Sequence, residues 1–460
     1  MQIARAVGTL VRRAALAAAL TVAAGPALAQ TTLADTLITA YRHSGLLEQN
    51  RATLRAADED VAQAIAALRP VIRYSGRVTY ANPLQSNDNL SASLGLTGDL
   101  LLYDGGSSRL AVDAAKEAVL ATREALIGIE QDVLFNAVTA YLSVRRAQAF
   151  VELRQNNVRL ITRELRAAED RFEVGEITRT DVAIAQARLA GARSAVATAQ
   201  GDLAEARAFY RAAVGVAPGS LAPPPPAPRT ADSLDAAQTV ARRTHPSIRQ
   251  AMRQVTQAEI NIARAEASMR PNLSARAGVS LDQDFNDSSS IGLELSGPIY
   301  QGGQLTSLYR QAQARRDAAR AALHVVRHSV DQNVANAWAQ LMVAGASLEA
   351  SQQEIRAATT AFRGVQEEAT LGARTTLDVL DAEQELLDAR AAAISAEISR
   401  YQAVYALLSS MGLLTVEHLQ LGIVTYDPAA YYNAVKDAPV RKVSPQGEKL
   451  DRILKGLARQ

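Results

Sequence analysis

Two pairs of side chains stand at spacings that carry chemistry. His324 and His328 lie four apart in HVVRH, the interval at which a helix turns two imidazoles toward one metal ion. The general-base glutamate of the H-E-x-x-H zinc pattern is missing and no third ligand accompanies them, so an exposed helical pair is the simpler reading. Asp378 and Asp381 lie three apart in LDVLD, so a helix puts both carboxylates on one face. Acids also favour a helix N-terminus, by a few tenths of a kcal/mol each, which accounts well for Asp378 and for Asp181 in the earlier TRTD. That account covers Asp381 less well. There is no G-x-x-x-x-G-K-[ST] phosphate loop and no G-x-S-x-G elbow, and Gly105-Gly106 and Gly302-Gly303 do not make a G-x-G-x-x-G loop. The chain has no cysteine, which excludes disulfides, thiolate metal sites, a cysteine nucleophile and a lipid anchor on an N-terminal Cys. No catalytic constellation, metal site or cofactor site emerges, and the chain reads as something other than an enzyme.

The elements that hold these residues follow from composition. Of 460 residues, 48% are of the AVILMFWYC set but only 4% are aromatic, and much of the remainder is alanine. Alanine is the best helix former and buries little area, so the chain suits long, closely packed helices. The formal charge is +2, but the first 29 residues hold Arg5, Arg12 and Arg13 and no acid; removing those three leaves −1. No basic segment is interleaved with aromatics, and nucleic acid is not an expected partner.

Residues 1–29 read as a signal peptide: a basic start, the apolar run AALAAALTVAA, then Ala27-Leu28-Ala29 as a cleavage site before Gln30. The run is too short to span a membrane comfortably, since a helix needs about 20 residues.

A duplication organises the rest. VGEITRTD (174–181) matches LGARTTLD (371–378), and Tyr103-Asp104-Gly105-Gly106 matches Tyr300-Gln301-Gly302-Gly303, both at an offset of 197. The same offset pairs Tyr141 with Trp338, each read as a packing residue. The expected domains are the signal peptide 1–29, a first repeat 30–222, a proline-rich linker 223–231, a second repeat 232–425 and a C-terminal tail 426–460. In the first repeat the pattern predicts a helix at 46–69, strands at 71–80 and 91–102, and long helices at about 107–172 and 180–213. The second predicts a helix at 247–269, strands at 272–281 and 290–300, and helices at 304–369 and 376–411. A helix of that greatest length measures about 100 Å. Val182, Leu189, Val196, Leu203 and Tyr210 recur every seven residues, as do Val112, Val119, Leu126 and Val133, which favours helices packed side by side.

The strands alternate apolar and polar residues. Leu94, Leu96, Leu100 and Leu102 oppose Gly95, Thr97 and Asp99; Ile72, Tyr74, Val78 and Tyr80 oppose Arg73, Ser75 and Arg77; Ile291 and Leu293 oppose Glu294; and Arg276 sits among alanines and leucines. A soluble sheet with one wet face and a tilted membrane strand of about 9–11 residues both read this way. Export and the setting between very long helices favour the membrane. Four strands cannot close a membrane barrel, which needs about eight, and an open edge in lipid leaves backbone groups unpaired. The barrel must then be shared between chains.

With its duplicated strand-pair-plus-long-helix plan, its Y-D/Q-G-G breaks and its paired tips VGEITRTD and LGARTTLDVLD, the chain resembles the TolC family of outer-membrane efflux and secretion channels over residues 31–425. The resemblance implies an α+β membrane protein in the cell outer membrane. Long antiparallel coiled-coil helices would extend through the periplasm, and four strands per protomer would contribute to a twelve-stranded barrel shared by a homotrimer. It implies a passive exit duct, with a periplasmic adaptor protein as direct partner and an inner-membrane transporter as indirect partner. Asp378 and Asp381 would ring the periplasmic aperture, with pKa values raised by convergence. Arg374 would help latch it, with Asp181 as its partner; the family can carry a tyrosine where this chain has Ala369. Val174, Gly175, Leu371 and Gly372 would dock the adaptor. Leu94, Leu96, Leu100, Ile291 and Leu293 would face outer-membrane lipid, and Arg73, Arg77, Asp99, Arg276 and Glu294 the lumen. The tail, with seven Lys/Arg against three Asp/Glu over 436–459, would be periplasmic and largely dispensable. The competing reading is a periplasmic adaptor, which also uses a long helical hairpin. Two hairpins and four membrane-like strands argue against it.

Overall fold

The computed structural model describes residues 30–80, 90–436 and the single positions 449, 452 and 453. The expected signal peptide and most of the basic tail lie outside the described residues. The elements run α1 (Leu33–His43), α2 (Gly45–Ala66), β1 (Val71–Tyr80), β2 (Leu90–Tyr103), α3 (Ser107–Glu173) and α4 (Arg179–Val214). They continue with α5 (Leu234–Thr244), α6 (Pro246–Ala267), β3 (Asn272–Asp282), β4 (Asp287–Ser296), α7 (Gln304–Thr370), α8 (Thr376–Ser410) and α9 (Pro428–Val435). The order helix, helix, strand, strand, long helix, helix therefore occurs twice. Helices α1 and α5 precede the helices expected at 46–69 and 247–269 and were not read from the sequence; a single residue divides each from its successor. At Ser44 the hydroxyl accepts from the Leu47 N–H at 3.2 Å, and at His245 the ring Nδ1 accepts from the Ser247 N–H at 3.2 Å, so each divider caps the next helix.

Packing divides the chain into two compact units. Of the described residues, one unit comprises those up to Ala40, Ala137–Ala227 and Ala350–Ile398; the other comprises those within Tyr41–Asn136, Pro228–Glu349 and from Ser399 on.

The second unit contains a four-stranded antiparallel sheet in the order β1-β2-β3-β4. Its register sets Tyr74 opposite Leu96, Leu96 opposite Val279, and Ala277 opposite Ile291, so one face is apolar across all four strands. That face is bare in the single chain, with Ile291 at 90% exposure. Leu102, expected on the same face, is instead the residue extruded where the register shifts between Leu101 and Tyr103, and Tyr103 takes its place opposite Leu273. Strand β4 stops at Ser296 rather than near 300, because Pro298 has no N–H to give to a ladder and Gly297 lies against Pro271.

Beside the sheet, Leu54 and Val61 of α2 bury Val112 and Val119 of α3, two members of the predicted seven-residue stripe. The tail begins as a packed element, α9, held against the rest of its unit. Arg51 lies between the rings of Tyr41 and Tyr426, at 5.1 and 5.3 Å from their centroids, and Arg123 lies over Tyr432 at 5.6 Å. Tyr431 donates to Glu59 at 2.8 Å, and Val435 is fully buried.

In the first unit the buried stripe of α4 differs from the predicted one. Leu189 and Tyr210 are buried, but Val182, Val196 and Leu203 are only half-buried, and Ala185, Ala192, Ala199 and Ala206 take the inner positions. The stripe keeps its period of seven but turns its smallest residues inward, where they allow close helix approach. The equivalents 197 residues on, Leu386, Ala389 and Ala396, are buried too. The entry to the proline linker is pinned by a bridge between Thr31 and Leu221 and by the Tyr141 hydroxyl, which donates to the Ala222 carbonyl.

Candidate functional site at the helix tips

Both tips lie in the first unit and are built by the same local chemistry. Helix α3 ends in a Schellman turn: the Glu176 N–H reaches the Arg171 carbonyl at 2.9 Å and the Gly175 N–H reaches Phe172 at 3.0 Å. Helix α7 ends identically, Ala373 to Glu368 at 2.9 Å and Gly372 to Ala369 at 3.2 Å. Gly175 and Gly372 have φ of 79° and 77°, the left-handed conformation that such a turn requires and that a side chain strains. The residue before each glycine is apolar and bare: Val174 is 71% exposed and Leu371 84%.

The helices that follow start with the same box. Asp181 Oδ2 accepts from the Thr178 N–H at 3.0 Å and from its hydroxyl at 2.8 Å; Asp378 Oδ2 accepts from the Thr375 N–H and hydroxyl, both at 2.9 Å. These bonds hold both carboxylates below the ordinary aspartate range, the backbone and hydroxyl of Thr375 acting on Asp378 first and Arg374 adding to them. Within a single protomer the shift of Asp378 thus runs opposite to the rise expected of converging carboxylates.

Three partnerships at the tips were not read from the sequence. Arg374 Nε pairs with Glu368 at 2.8 Å; the expected pair with Asp181 is not formed within the protomer, where Asp181 serves Thr178. Asp381 pairs with Arg188 of α4 at 2.7 Å. Two residues further along α8, Glu383 is buried and accepts from Asn157 of α3 at 2.7 Å, while its second oxygen is buried without a partner. Burial pushes Glu383 up to about 7, against the Asn157 hydrogen bond and with a small contribution from the Glu164 charge. The available signal was depth: Arg188 and Asp381 are opposite charges a few residues inside two helices that start at equivalent tips.

Arg73, Arg77, Asp99, Arg276 and Glu294 share the other face of the sheet, whereas Asp287, at the start of β4, stands on the apolar one. Arg73 contacts Asp99 at 3.0 Å, Asp99 contacts Arg276 at 2.8 Å, and Arg276 contacts Glu294 at 3.3 Å, while Arg77 lies opposite Ser93. Among the described residues, no group of three or more His, Cys, Asp or Glu side chains is placed to hold a metal ion, and no helix is long and apolar enough to cross a membrane.

A family model described as "Outer membrane efflux protein" matches residues 39–216 and again 239–413. The chain belongs to the outer membrane efflux protein family. Among relatives in that family, the outer membrane efflux protein BepC of Brucella suis is 35% identical over 434 residues, covering 93% of this chain and 95% of BepC. The outer membrane protein TolC of Vibrio cholerae is 27% identical, covering 78% of this chain and 86% of that protein. Among solved structures, one of CusC superposes with a TM-score of 0.75 at 19% identity, covering 83% of this chain and 92% of that one. As a family member the protein is an outer-membrane efflux protein. The TolC resemblance and the outer-membrane location read from the sequence both hold, and channel is favoured over adaptor.

Proposed function

We propose that three copies of this chain form a passive exit duct through the outer membrane and periplasm, serving a tripartite efflux pump or a type I secretion system. One observation carries the reading: a four-stranded sheet with a bare apolar face and two free edges, too few strands to close alone. Three such sheets supply the twelve strands of a barrel, with Leu94, Leu96, Leu100, Ile291 and Leu293 toward lipid and Arg73, Arg77, Asp99, Arg276 and Glu294 toward the lumen. The two helix tips form the periplasmic aperture. Asp378 and Asp381 ring it, and Arg374 with Asp181 belongs to the latch that holds it closed; here Arg374 also leans on Glu368. The bare apolar side chains of Val174 and Leu371, beside Gly175 and Gly372, receive a periplasmic adaptor that spreads the tips and couples the duct to an inner-membrane transporter.

The test is the state of the protein in isolated outer membranes. Heat-sensitive trimers that form discrete channels in planar bilayers support the duct. A monomer recovered from the periplasm or inner membrane refutes it and leaves the adaptor reading standing.

A further inference from the structure

The charged row on the polar face of the sheet has one member on each strand, and the signs alternate: Arg73 on β1, Asp99 on β2, Arg276 on β3 and Glu294 on β4. The two inner members each hold two partners. Asp99 takes Arg73 and Arg276, and Arg276 takes Asp99 and Glu294. The two end members, on the two free edges, hold one each. One edge therefore ends in a cation and the other in an anion.

We propose that the barrel seam is an ion pair between Glu294 of one copy and Arg73 of the partner subunit, which fixes the partner edge and confines the register to two settings. This rests on the trimeric barrel proposed above and specifies how its copies join. Joining β4 to β1 of a second copy continues the plus–minus alternation without a break. With four antiparallel strands per copy, it also keeps the new pair antiparallel. Joining like edges would set Arg73 against Arg73 or Glu294 against Glu294, and like charges opposed across strands are destabilising. Only the head-to-tail joint closes into a ring by rotation.

The row itself is slanted with respect to the register. Arg73 lies opposite Thr97, two residues from Asp99, and Glu294 lies opposite Ser274, two residues from Arg276. Both steps go the same way, as a level ring must when it crosses tilted strands. Carried one strand further, the row brings Glu294 to Arg73 of the partner subunit, either directly opposite or one side-chain step along. The closed ring then carries equal numbers of both charges at this level, so the row contributes no net charge to the lumen.

The absence of cysteine makes the test direct. Arg73→Cys and Glu294→Cys are combined in the full-length chain, and outer membranes are treated with a bismaleimide spanning about 8 Å. Within one chain the two positions are three strand spacings apart, about 14 Å, so the reagent joins only different copies. The expected result is covalent dimer and trimer on denaturing gels from the double variant, with only monomer from either single variant. Thr79→Cys with Glu294→Cys, displaced six residues along β1 on the same face, should give at least fivefold less product. Heat-sensitive trimers that give no covalent product in the double variant, or single variants that cross-link as well as the double, overturn the seam and leave the duct intact. A wild-type protein that is not trimeric overturns both.

Discussion

Arg188 and Asp381 form an ion pair at 2.7 Å between the helices that leave the two tips. It joins the two halves of the chain: Asp381 is the acid that the first repeat lacks, having Ile184 there, and Arg188 is a base where the second repeat has Glu385. The pair partly neutralises one of the two carboxylates proposed to ring the aperture. Asp378 keeps its charge through the bonds from Thr375.

Removing Arg188 should therefore strengthen the ring. With both partners largely exposed, the pair is worth no more than about 1 kcal/mol of stability, and trimers of Arg188→Ala should form normally. In planar bilayers the variant should show higher cation preference and severalfold tighter block by multivalent cations. Asp378→Ala with Asp381→Ala should lose both. An Arg188→Ala channel with unchanged block would remove Asp381 from the ion path.

The apolar face of the sheet sets a second expectation. Leu96 lies between Tyr74 and Val279 on the bare face, and where that face meets lipid, as proposed, a charge at mid-depth costs about 2–4 kcal/mol. Leu96→Arg should sharply reduce trimers in outer membranes. Arg276→Leu removes two ion pairs on the polar face but places no charge in lipid, and it should leave most of the trimer in place. Equal loss in both variants would mean that the faces are assigned the wrong way round.

The tips make a third. Val174→Asp with Leu371→Asp leaves both left-handed glycines and both capping boxes untouched, so the turns should fold. We expect heat-sensitive trimers of normal amount with export reduced at least tenfold. Normal export from these trimers would show that the adaptor does not rest on the apolar tip residues.

Much of this architecture was legible because it is periodic or duplicated. The strands show by alternation, and the long helices by their glycine-marked ends; Gly175 and Gly372 could be matched by offset before their φ angles were known. The legible part of the site was the capping chemistry, where T-x-x-D is local. What remained hidden depends on which helix lies beside which. Arg374 took the nearby Glu368 rather than Asp181, Asp381 found Arg188 in the other repeat, and Asn157 met Glu383 across 226 residues. The inward stripe of α4 was misread for a related reason: a large apolar residue signals burial in sequence, whereas close packing of helices selects alanine.

Glu383 carries the last expectation, a pH dependence seated behind the proposed aperture. Its side chain is buried on α8, one oxygen bonded to Asn157 of α3 and the other without a partner. The other charged group acting on it is Glu164, also of α3, which in turn accepts from Gln366 of α7 at 3.4 Å. Burial raises its pKa from 4.5 to about 7, so the folded protein holds a proton there that the unfolded chain releases. The stabilising protonated form is fully present below about 4.5 and is lost as pH rises through about 7, at a cost of roughly 2–3 kcal/mol to this part of the bundle. Other buried acids, among them Asp58 at about 6, titrate in the same window, so the informative quantity is the difference between wild type and Glu383→Gln. Glutamine keeps an oxygen for Asn157 and cannot ionise. The variant should match the wild type in thermal dissociation at pH 4.5, exceed it at pH 8, and show a smaller rise in channel opening between those values. Parallel melting curves for the two proteins across the whole range would mean that Glu383 keeps its proton, or loses it, without effect on the bundle.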